Sequence, residues 1–422
     1  MQSADSVDYD VIVIGGGPAG TTAATLLAGA GRRVLLLERL PQTGFKIGES
    51  LMPETYRTFS RLGMLPRLAA SAFPRKYSVQ FYSKSGRASA PFYFRETDPG
   101  PSSTTWQVLR QDFDRMMLDN ARDHGVDVKE GAAVREVLFA GDRATGVSAD
   151  LPGQGRRELG ARVVVDASGQ SAILGRRLGL REIDPRLKKA AIWSHFEGAV
   201  RDPGIDEGAT LVIHTDQQKS WFWYIPLPDD RVSVGVVGSV EHLVQGRGGD
   251  LERVFWEEVA HCPALGPRLA PARRGMDFLA TRDFSYRSRQ VAGDGWVLVG
   301  DALGFLDPIY SSGVLLACSS GELAADAIAA ALDAGDCSGR RLGAFGPRFL
   351  AGMDAMRQLV YTFYDPEFRF SKFIRRFPEC RLDLIRILRG DVFDHDFSRL
   401  FEALAATAVP DAAGEPVMGD LR

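Results

Sequence analysis

The sequence contains 422 residues, a length that predicts two or three domains rather than a single core. Hydrophobic residues make up 45% and charged residues 25%, which is ordinary for a globular protein, and the net charge of −3 gives no indication of binding to nucleic acid or anionic membranes. The four cysteines lack paired spacing, so we predict thiols in a reducing compartment and no metal site. The polar N-terminus and the lack of an apolar run of about 18–20 residues lead us to expect a cytoplasmic protein without a signal peptide or membrane span.

The first predicted element is a nucleotide-binding turn. A β-branched run, DVIVI, predicts a buried parallel strand, and the sequence GGGPAG from Gly15 to Gly20 follows it. In this motif Gly15 makes the tight turn, Gly17 lets the backbone approach a pyrophosphate, and Gly20 lets helix and strand pack closely. The helix that begins near Pro18 and Ala19 offers free N–H groups to phosphate.

An acidic residue then narrows the choice of dinucleotide. Glu38 ends the next predicted strand, 18 residues after Gly20, where its carboxylate would bond a ribose hydroxyl. A negative charge at this position disfavours the 2′-phosphate of NADP, so FAD or NAD is predicted.

The elements that follow predict a second sheet and a helical end. Strands are predicted at residues 79–82, 134–139, 162–166, 190–196, 210–214, 220–225, 232–237 and 296–299, and helices at 313–332 and beyond 345. The consecutive strands from 190 to 237 predict an antiparallel sheet inserted into the nucleotide domain. We therefore predict an α/β fold with three parts: a Rossmann-type dinucleotide-binding domain (1–78, 105–185 and 276–345), which the segments described next make a Rossmann-type FAD-binding domain, an inserted antiparallel β-sheet substrate domain (79–104 and 186–275), and a C-terminal helical segment (346–422).

Three further segments indicate that the dinucleotide is FAD. The sequence VLVGDA places Gly300 and Asp301 at a predicted strand end, and VVVDASG does the same for Asp166. Both segments, together with Arg110 in QVLRQDF, resemble flavin-binding positions of the para-hydroxybenzoate hydroxylase-like superfamily. Asp301 alone would more often be a helix N-cap, but the order of the three segments implies contacts with FAD.

Two motifs bear on the reaction. The sequence WFWYIP fits the pattern WxWxIP, and the alternation of a strand places Trp221, Trp223 and Ile225 on one face. The sequence FLDPIYSSG fits FxxPxxSxG and opens a long helix at Ser312 and Gly313, whose backbone N–H groups would hold a small anion. Taken singly, the first motif is also typical of an aromatic core strand and the second of any helix start near a flavin.

With both motifs in one chain, the sequence resembles the flavin-dependent halogenases from residue 9 to about 395. FKIGESL, DPIYSSGV and LIRILRGDVF resemble the phenol- and pyrrole-halogenating branch. The family places a lysine between flavin and substrate, and the matching residue is Lys76 in FPRKYS, where Ser78 replaces a glycine of the family pattern. Besides the glycine turn and Glu38, the resemblance implies these cofactor-binding residues: Arg39, Lys46, Ser50, Arg110, Asp166, Gly300, Asp301, Pro308, Ser312 and Gly313.

The resemblance implies halogenation of an electron-rich aromatic ring, phenol- or pyrrole-like, either free or carried by an acyl or peptidyl carrier protein. Reduced FAD and oxygen would convert chloride or bromide, held by Ser312 and Gly313, into hypohalous acid. A wall of Trp221 and Trp223 would keep the substrate away from the flavin. Lys76 would act either as an ammonium that binds the hypohalous acid or as an amine that is itself halogenated.

Two roles in this scheme stay open. The base that removes the ring proton would be Glu49 or His195, although a structural role fits either residue. No second GxGxxG motif follows a strand, so a separate NAD(P)H-dependent flavin reductase is expected to supply reduced FAD.

Three other functions fit parts of the sequence. An aromatic hydroxylase of the same fold would consume NAD(P)H itself and need no halide. A double-bond reductase resembling the geranylgeranyl reductases would act on a lipid without oxygen. A flavoprotein that serves only as a binding partner would need neither Lys76 nor the two tryptophans. The FxxPxxSxG motif and Lys76 favour the halogenase.

Overall fold

The structure is a computed structural model that describes residues 7–41 and 44–407. The last part of the predicted C-terminal segment, residues 408–422, lies outside the described residues.

The strands alternate with helices in the first part of the chain and follow one another in its middle. In chain order they are β1 (Tyr9–Ile14), β2 (Val34–Glu38), β3 (Arg75–Lys76), β4 (Ser78–Tyr82), β5 (Phe92–Tyr93), β6 (Thr105–Trp106), β7 (Asp127–Glu130), β8 (Ala133–Ala140), β9 (Arg143–Leu151), β10 (Gly155–Asp166), β11 (Arg181–Ile183), β12 (Lys189–Glu197), β13 (Thr210–His214), β14 (Ser220–Pro226), β15 (Arg231–Ser239), β16 (Arg273–Arg274), β17 (Leu279–Arg282), β18 (Tyr286–Ser288), β19 (Ala292–Gly293), β20 (Trp296–Leu298) and β21 (Gly304–Phe305).

The α-helices are concentrated at the two ends of the chain. In chain order they are α1 (Pro18–Gly29), α2 (Thr55–Arg61), α3 (Leu65–Ala70), α4 (Arg110–Asp123), α5 (Ile173–Arg177), α6 (Val240–Leu243), α7 (Leu251–Ala260), α8 (Gly266–Leu269), α9 (Gly313–Asp333), α10 (Gly339–Leu342), α11 (Gly346–Phe363), α12 (Phe370–Arg376), α13 (Arg381–Arg389) and α14 (Ser398–Thr407).

The first sheet has the order β19-β20-β10-β1-β2-β7, and its last five strands are parallel. All of β2 and most of β1 is buried, as expected for strands covered on both faces, and this confirms the Rossmann-type part of the prediction. The first half of β10 pairs with β9 in an antiparallel arrangement, and β9 pairs with β8. Prediction from sequence missed β9 because its buried apolar residues, Ala144, Val147 and Ala149, are too few and too small to give a clear hydrophobic alternation.

The second sheet has the order β16-β12-β15-β14-β13-β4-β5, with β17 beside β12. Strands β12, β15, β14 and β13 are antiparallel neighbours, which confirms the predicted antiparallel sheet. A parallel pair, β13 with β4, extends it.

Strand β14 divides its side chains between two cores. Trp221, Trp223 and Ile225 belong to the core shared with the first sheet, whereas Phe222 and Tyr224 belong to a separate core that includes α7. The predicted alternation is therefore confirmed, and the side of the second sheet that carries Trp221 and Trp223 is called the site face below.

The expectation that the chain has no apolar run long enough to span a membrane needs a correction at helix α9. Its 21 residues are long and apolar enough to cross a membrane by length and composition, and among the described residues it is the one helix that meets this test. Most of the helix is buried and packs against α1, which accounts for its composition without a membrane.

Gly235 of β15 lies beneath the ring of Trp223, and this contact yields a stability prediction. A Cβ atom on Gly235 would lie 2.2 Å from Cζ2 of Trp223, so we expect Gly235→Ala to lower the free energy of unfolding by about 3 kcal/mol. Gly266→Ala is the matched control, because among the described residues no atom lies within 4 Å of its Cβ position. Urea unfolding of the two variants measures the difference, and equal stabilities would contradict the packing argument.

Candidate active site

Three glycines shape the turn between β1 and α1. Gly15 has φ +107°, and a Cβ on it would lie 2.4 Å from the carbonyl oxygen of Ala167. A Cβ on Gly20 would lie 2.0 Å from the carbonyl oxygen of Gly15, so glycine lets α1 begin close to β1. In the described part of the chain, nothing lies within 4 Å of the Cβ position of Gly17. The turn is thus filled by protein at Gly15 and Gly20 and open at Gly17, where a pyrophosphate would lie.

The acid predicted to bind ribose lies beside this turn. Glu38 is buried at the end of β2, where Oε2 accepts a hydrogen bond from Gly16 N at 2.7 Å and Oε1 accepts one from Leu40 N at 3.0 Å. Each carboxylate oxygen has a second lone pair, so Glu38 can also accept a ribose hydroxyl. Arg39 is exposed at the next position.

The segment of Gly300 and Asp301 packs against the glycine turn. Gly300 has φ +59°, and a Cβ on it would lie 2.8 Å from Cβ of Ala19 in the first turn of α1. The short 3-10 turn that Gly300 begins carries Asp301. Burial raises the pKa of Asp301 to about 6, against the opposing charges of Arg110 and Lys46. An open cradle at Gly17 and a carboxylate at Asp301 fit the pyrophosphate and the hydroxyl-bearing chain of FAD.

Two cations flank the same region. Arg110 begins α4 and forms a two-pronged ion pair with Asp114, with Nε 2.9 Å from Oδ1 and Nη2 3.1 Å from Oδ2. Its Nη1 donates to the carbonyl oxygen of Ile47 at 2.5 Å. Nζ of Lys46 lies 3.2 Å from Oδ2 of the same Asp114. Two positive charges therefore share one buried carboxylate, which suits a site for an anionic cofactor.

In the VVVDASG segment, the side chain of Asp166 makes its hydrogen bonds within the protein. Asp166 is fully buried, and its carboxylate accepts hydrogen bonds from Ser168 N at 3.0 Å and Leu174 N at 2.7 Å. These bonds fix the turn that contains Ala167, whose carbonyl oxygen borders Gly15. Direct contact between Asp166 and FAD stays a prediction.

The predicted anion turn, which is residues 307–313, leads from this region into α9. Pro308 begins a 3-10 turn, after which Ser311 adopts a left-handed conformation with φ +59°. The first bond of α9 runs from Leu316 N to the carbonyl oxygen of Ser312 at 2.9 Å, so the amide of Gly313 precedes it. Ser312 and Gly313 thus lie at the positive end of a 21-residue helix, an arrangement that favours an anion.

Three indoles cover the site face. The ring centroids of Trp221 and Trp223 are 6.4 Å apart, and the ring of Trp193 from β12 lies 6.2 Å from that of Trp223. Nε1 of Trp223 donates to Oγ of Ser233 at 3.1 Å. We call Trp193, Trp221 and Trp223 the tryptophan wall.

Lys76 is a buried amine with its own hydrogen-bond network. Its side chain is 3% exposed, and Nζ donates to Oγ of Ser50 at 2.8 Å and to the carbonyl oxygen of Leu51 at 3.1 Å. Oγ of Ser50 lies 2.8 Å from Oγ1 of Thr210, which accepts a hydrogen bond from Nε2 of Gln107 at 2.9 Å. Burial lowers the pKa of Lys76 to about 7, so both the ammonium and the amine are populated near neutral pH.

The network of Lys76 joins one end of the tryptophan wall. Val212 of β13 is paired directly with Trp223, and the alternation of the strand places Thr210 on the same site face. Ser50, predicted to bind FAD, is hydrogen-bonded to Lys76, and a contact of Ser50 with the cofactor stays a prediction.

Glu49 and His195, the two candidate bases, form one pair. Oε1 of Glu49 lies 2.8 Å from Nε2 of His195, and both side chains are buried. Oε2 of Glu49 has no hydrogen-bond partner within the described residues. Because His195 follows Trp193 by two positions on β12, the pair lies on the site face.

The structure brings to the site five residues to which the sequence assigned no specific role. Thr210 and Gln107 extend the network of Lys76, and Asp307, Tyr364 and Lys189 lie near the other end of the tryptophan wall. Asp307 lies inside the FxxPxxSxG motif at a position that the motif leaves open. The other four have no local sequence signal, because tertiary contacts alone bring them to the site.

The contact between Gly20 and Gly15 predicts the effect of one methyl group on cofactor binding. We expect Gly20→Ala to weaken FAD binding by at least about ten-fold, because α1 must move away from β1. Gly29→Ala at the other end of α1 is the control, since its Cβ meets no atom within 4 Å in the described structure. Fluorescence titration with FAD measures both affinities, and unchanged binding by Gly20→Ala would count against the cradle.

The buried amine of Lys76 predicts a dependence of stability on pH. The pKa is about 7 in the folded protein and 10.5 as the ordinary value, so folding releases a proton between these limits and the folded state loses stability as pH falls from about 10 to 7. Lys76→Met removes this effect. We expect its advantage over wild type in urea unfolding without FAD to be larger at about pH 7 than at about pH 9.5, by on the order of 3 kcal/mol. If the stability advantage of Lys76→Met over wild type were the same at both pH values, the amine would be hydrated in the folded protein.

Comparison with known proteins agrees with these features. Residues 8–344 match the family described as FAD binding domain. The chain is 32% identical to the 1H-pyrrole-2-carbonyl-(peptidyl-carrier protein) chlorinase of Pseudomonas fluorescens, over 98% of this chain and 97% of that protein. It is also 32% identical to the corresponding brominase of Pseudoalteromonas luteoviolacea, over 92% and 93%.

Solved structures give the same result. The flavin-dependent brominase Bmp2 superposes with a TM-score of 0.83 at 31% identity, over 95% of this chain and 97% of that one. The myxobacterial chondrochloren halogenase CndH superposes with a TM-score of 0.77 at 32% identity, over 96% and 98%. The chain therefore belongs to the flavin-dependent halogenase family.

Proposed function

We propose that this protein uses reduced FAD, oxygen and chloride or bromide to halogenate an electron-rich aromatic ring of the phenol or pyrrole type, with Lys76 delivering the halogen. The observation that carries this proposal is the buried amine of Lys76, with its pKa near 7, at one end of the tryptophan wall. The anion turn lies at the other end, where Asp307 connects to Trp221 through Tyr364.

The anion turn would hold the halide beside the flavin. When bound, FAD in its reduced form supplies the activation of oxygen that oxidises the halide to hypohalous acid. The amides at Ser312 and Gly313 and the positive end of α9 would fix the halide. The sheltered position of Ser312, which is 2% exposed, strengthens this attraction because little water screens it.

The tryptophan wall would separate the two chemical steps. Along β14, Trp221 lies toward the anion turn and Ile225 toward Thr210, a span of about 13 Å for four residues. An aromatic substrate held near Lys76 would therefore lie too far from the flavin to be oxidised directly. Small hypohalous acid could cross this distance, whereas the ring could not.

Lys76 would transfer the halogen to the aromatic ring of the substrate. As an ammonium it donates a hydrogen bond to the oxygen of hypohalous acid, and the ring takes the halogen as water leaves. As a neutral amine it exchanges one hydrogen for the halogen, releases water, and regains a proton after transfer. A pKa of about 7 makes both forms accessible, so both routes remain open. The ring proton would pass to the pair of Glu49 and His195, which lies on the same face.

The relatives suggest the substrate and the partners. Two of them are named for a pyrrole carried by a peptidyl carrier protein. We accordingly propose a pyrrole- or phenol-like ring tethered to a carrier protein. Independently of the relatives, we propose that a separate NAD(P)H-dependent flavin reductase supplies reduced FAD, because no second GxGxxG motif follows a strand, and that the protein acts in the cytoplasm.

Reconstitution tests the proposed reaction. Protein, FAD, a flavin reductase, NADH, oxygen and bromide are combined with phenols, indoles and pyrroles, free or loaded on a carrier protein. We expect products with the bromine isotope doublet in mass spectrometry. Lys76→Met should reduce this product by at least about 100-fold while FAD still binds, because the halogen loses its acceptor.

Lys84→Met is the control for charge removal, because Lys84 is an exposed lysine in the loop after β4 and should leave the yield unchanged. Products that gain only oxygen, or that form equally without bromide, would identify a hydroxylase and overturn the proposal.

A further inference from the structure

A hydrogen-bonded chain of three side chains connects the tryptophan wall to the anion turn. Nε1 of Trp221 lies 3.0 Å from Oη of Tyr364, which lies 3.0 Å from Oδ2 and 3.2 Å from Oδ1 of Asp307. Trp221 belongs to β14, Tyr364 follows the last residue of α11, and Asp307 directly precedes Pro308. One hydroxyl therefore links the second sheet, the C-terminal helices and the loop that opens α9.

The chemistry of the three groups fixes the direction of the chain. An indole N–H can only donate, so Oη of Tyr364 accepts from Trp221. The hydroxyl hydrogen of Tyr364 is then free to be donated to Asp307. The carboxylate of Asp307 also accepts a hydrogen bond from Ile309 N at 3.0 Å, inside the anion turn.

The two ends of this chain are buried, and charged and aromatic groups lie beside its middle. Asp307 is 1% exposed, and burial raises its pKa to about 7 against the hydrogen bonds from Ile309 and Tyr364. Nζ of Lys189 lies 3.7 Å above the ring of Tyr364, and Phe363 packs edge-on against Trp221 at 5.8 Å. Trp221 is also buried, so losing the shared hydroxyl would leave a buried indole N–H and a buried carboxylate short of a hydrogen-bond partner.

We propose that Tyr364 is a positioning residue for the halide site. Its hydroxyl holds Asp307, and Asp307 holds the 3-10 turn that presents Ser312 and Gly313. The left-handed conformation of Ser311, unusual for a residue with a side chain, shows that neighbouring contacts determine the shape of this turn. This inference rests on the proposed function only in taking Ser312 and Gly313 as the halide site.

The same hydroxyl also orients Trp221, so one residue of the C-terminal helices sets both the halide site and the adjacent end of the tryptophan wall. Removing it leaves the indole N–H and the carboxylate without their shared partner. We therefore expect Tyr364→Phe to weaken halide binding by about ten-fold while leaving FAD affinity unchanged.

Tyr361→Phe is the matched control. Tyr361 lies three residues earlier on α11, and its hydroxyl also donates to an aspartate, Asp184, at 2.6 Å. The two variants lose the same atom from neighbouring positions, but only Tyr364 contacts the anion turn. Tyr361→Phe should keep the halide affinity of wild type even where its melting temperature falls.

The experiment is a bromide titration of the FAD-loaded protein, followed by the absorbance of the bound flavin and repeated for chloride. It needs no aromatic substrate, so a wild type that binds bromide but halogenates nothing refutes the proposed function and leaves this test intact. Equal bromide dissociation constants for wild type, Tyr364→Phe and Tyr361→Phe would overturn the inference, and so would wild type without saturable bromide binding.

Three further variants keep the result interpretable. Trp221→Phe removes the donor at the other end of the chain and serves where Tyr364→Phe does not fold. Asp307→Asn keeps an oxygen that can accept from Tyr364, so it should retain more bromide affinity than Asp307→Ala. Equal losses in the two Asp307 variants would contradict a hydrogen bond to that residue.

Discussion

The burial of the Lys76 amine is the constraint around which the site is organised. An ammonium removed from water is unstable unless its hydrogens are accepted, and here the acceptors are Oγ of Ser50 and the carbonyl oxygen of Leu51. Ser50 is in turn held by Thr210, which receives a hydrogen from Gln107. The network draws on the loop after β2, the second sheet and the segment before α4, so the amine remains buried only while these three parts stay together.

The loop at residues 45–51 connects the network of Lys76 to Arg110, which is predicted to bind FAD. The carbonyl oxygen of Ile47 accepts from Arg110, Glu49 pairs with His195, and Ser50 accepts from Lys76. Gly48 makes the turn between them with φ +102°, and a Cβ there would lie 2.9 Å from Nη1 of Arg110. Residues of one short loop thus contact Arg110, His195 and Lys76, and a shift at one of these contacts must disturb the others.

Local patterns in the sequence predicted the parts of the site that depend on neighbouring residues. The glycine turn, the site face of β14 and the start of α9 each follow from the spacing of a few consecutive positions. The network of Ser50 and Thr210 could not be predicted, because the two residues are 160 positions apart and meet only in the folded chain, where Gln107 forms a bridge with Ser50 and donates to Thr210. Ser50 is an example: its motif predicts a contact with FAD, and nothing local in the sequence indicates the hydrogen bonds of its hydroxyl with Lys76 and Thr210.

The same limit applies to the C-terminal helices. Their aromatic residues gave no sign of which would pack in the core and which would bond to the anion turn. Tyr361 and Tyr364 lie on the same helix end, yet one donates to Asp184 and the other to Asp307. The distinction depends on which loops lie beside the end of α11, and these loops come from distant parts of the sequence.

The register of β14 explains why one strand can serve a core and a reactive site together. A slip of one residue would bring Phe222 and Tyr224 to the site face and move both tryptophans into the separate core. Two contacts on the site face oppose this slip: Gly235 leaves room for the ring of Trp223, and Ser233 accepts its N–H. On the opposite face, the hydroxyl of Tyr224 donates to the carbonyl oxygen of Val200 at 2.7 Å. The hydrogen bond of Trp221 to Tyr364 then connects this fixed register to Asp307, so the packing that stabilises the second sheet also determines where this end of the tryptophan wall lies relative to the anion turn.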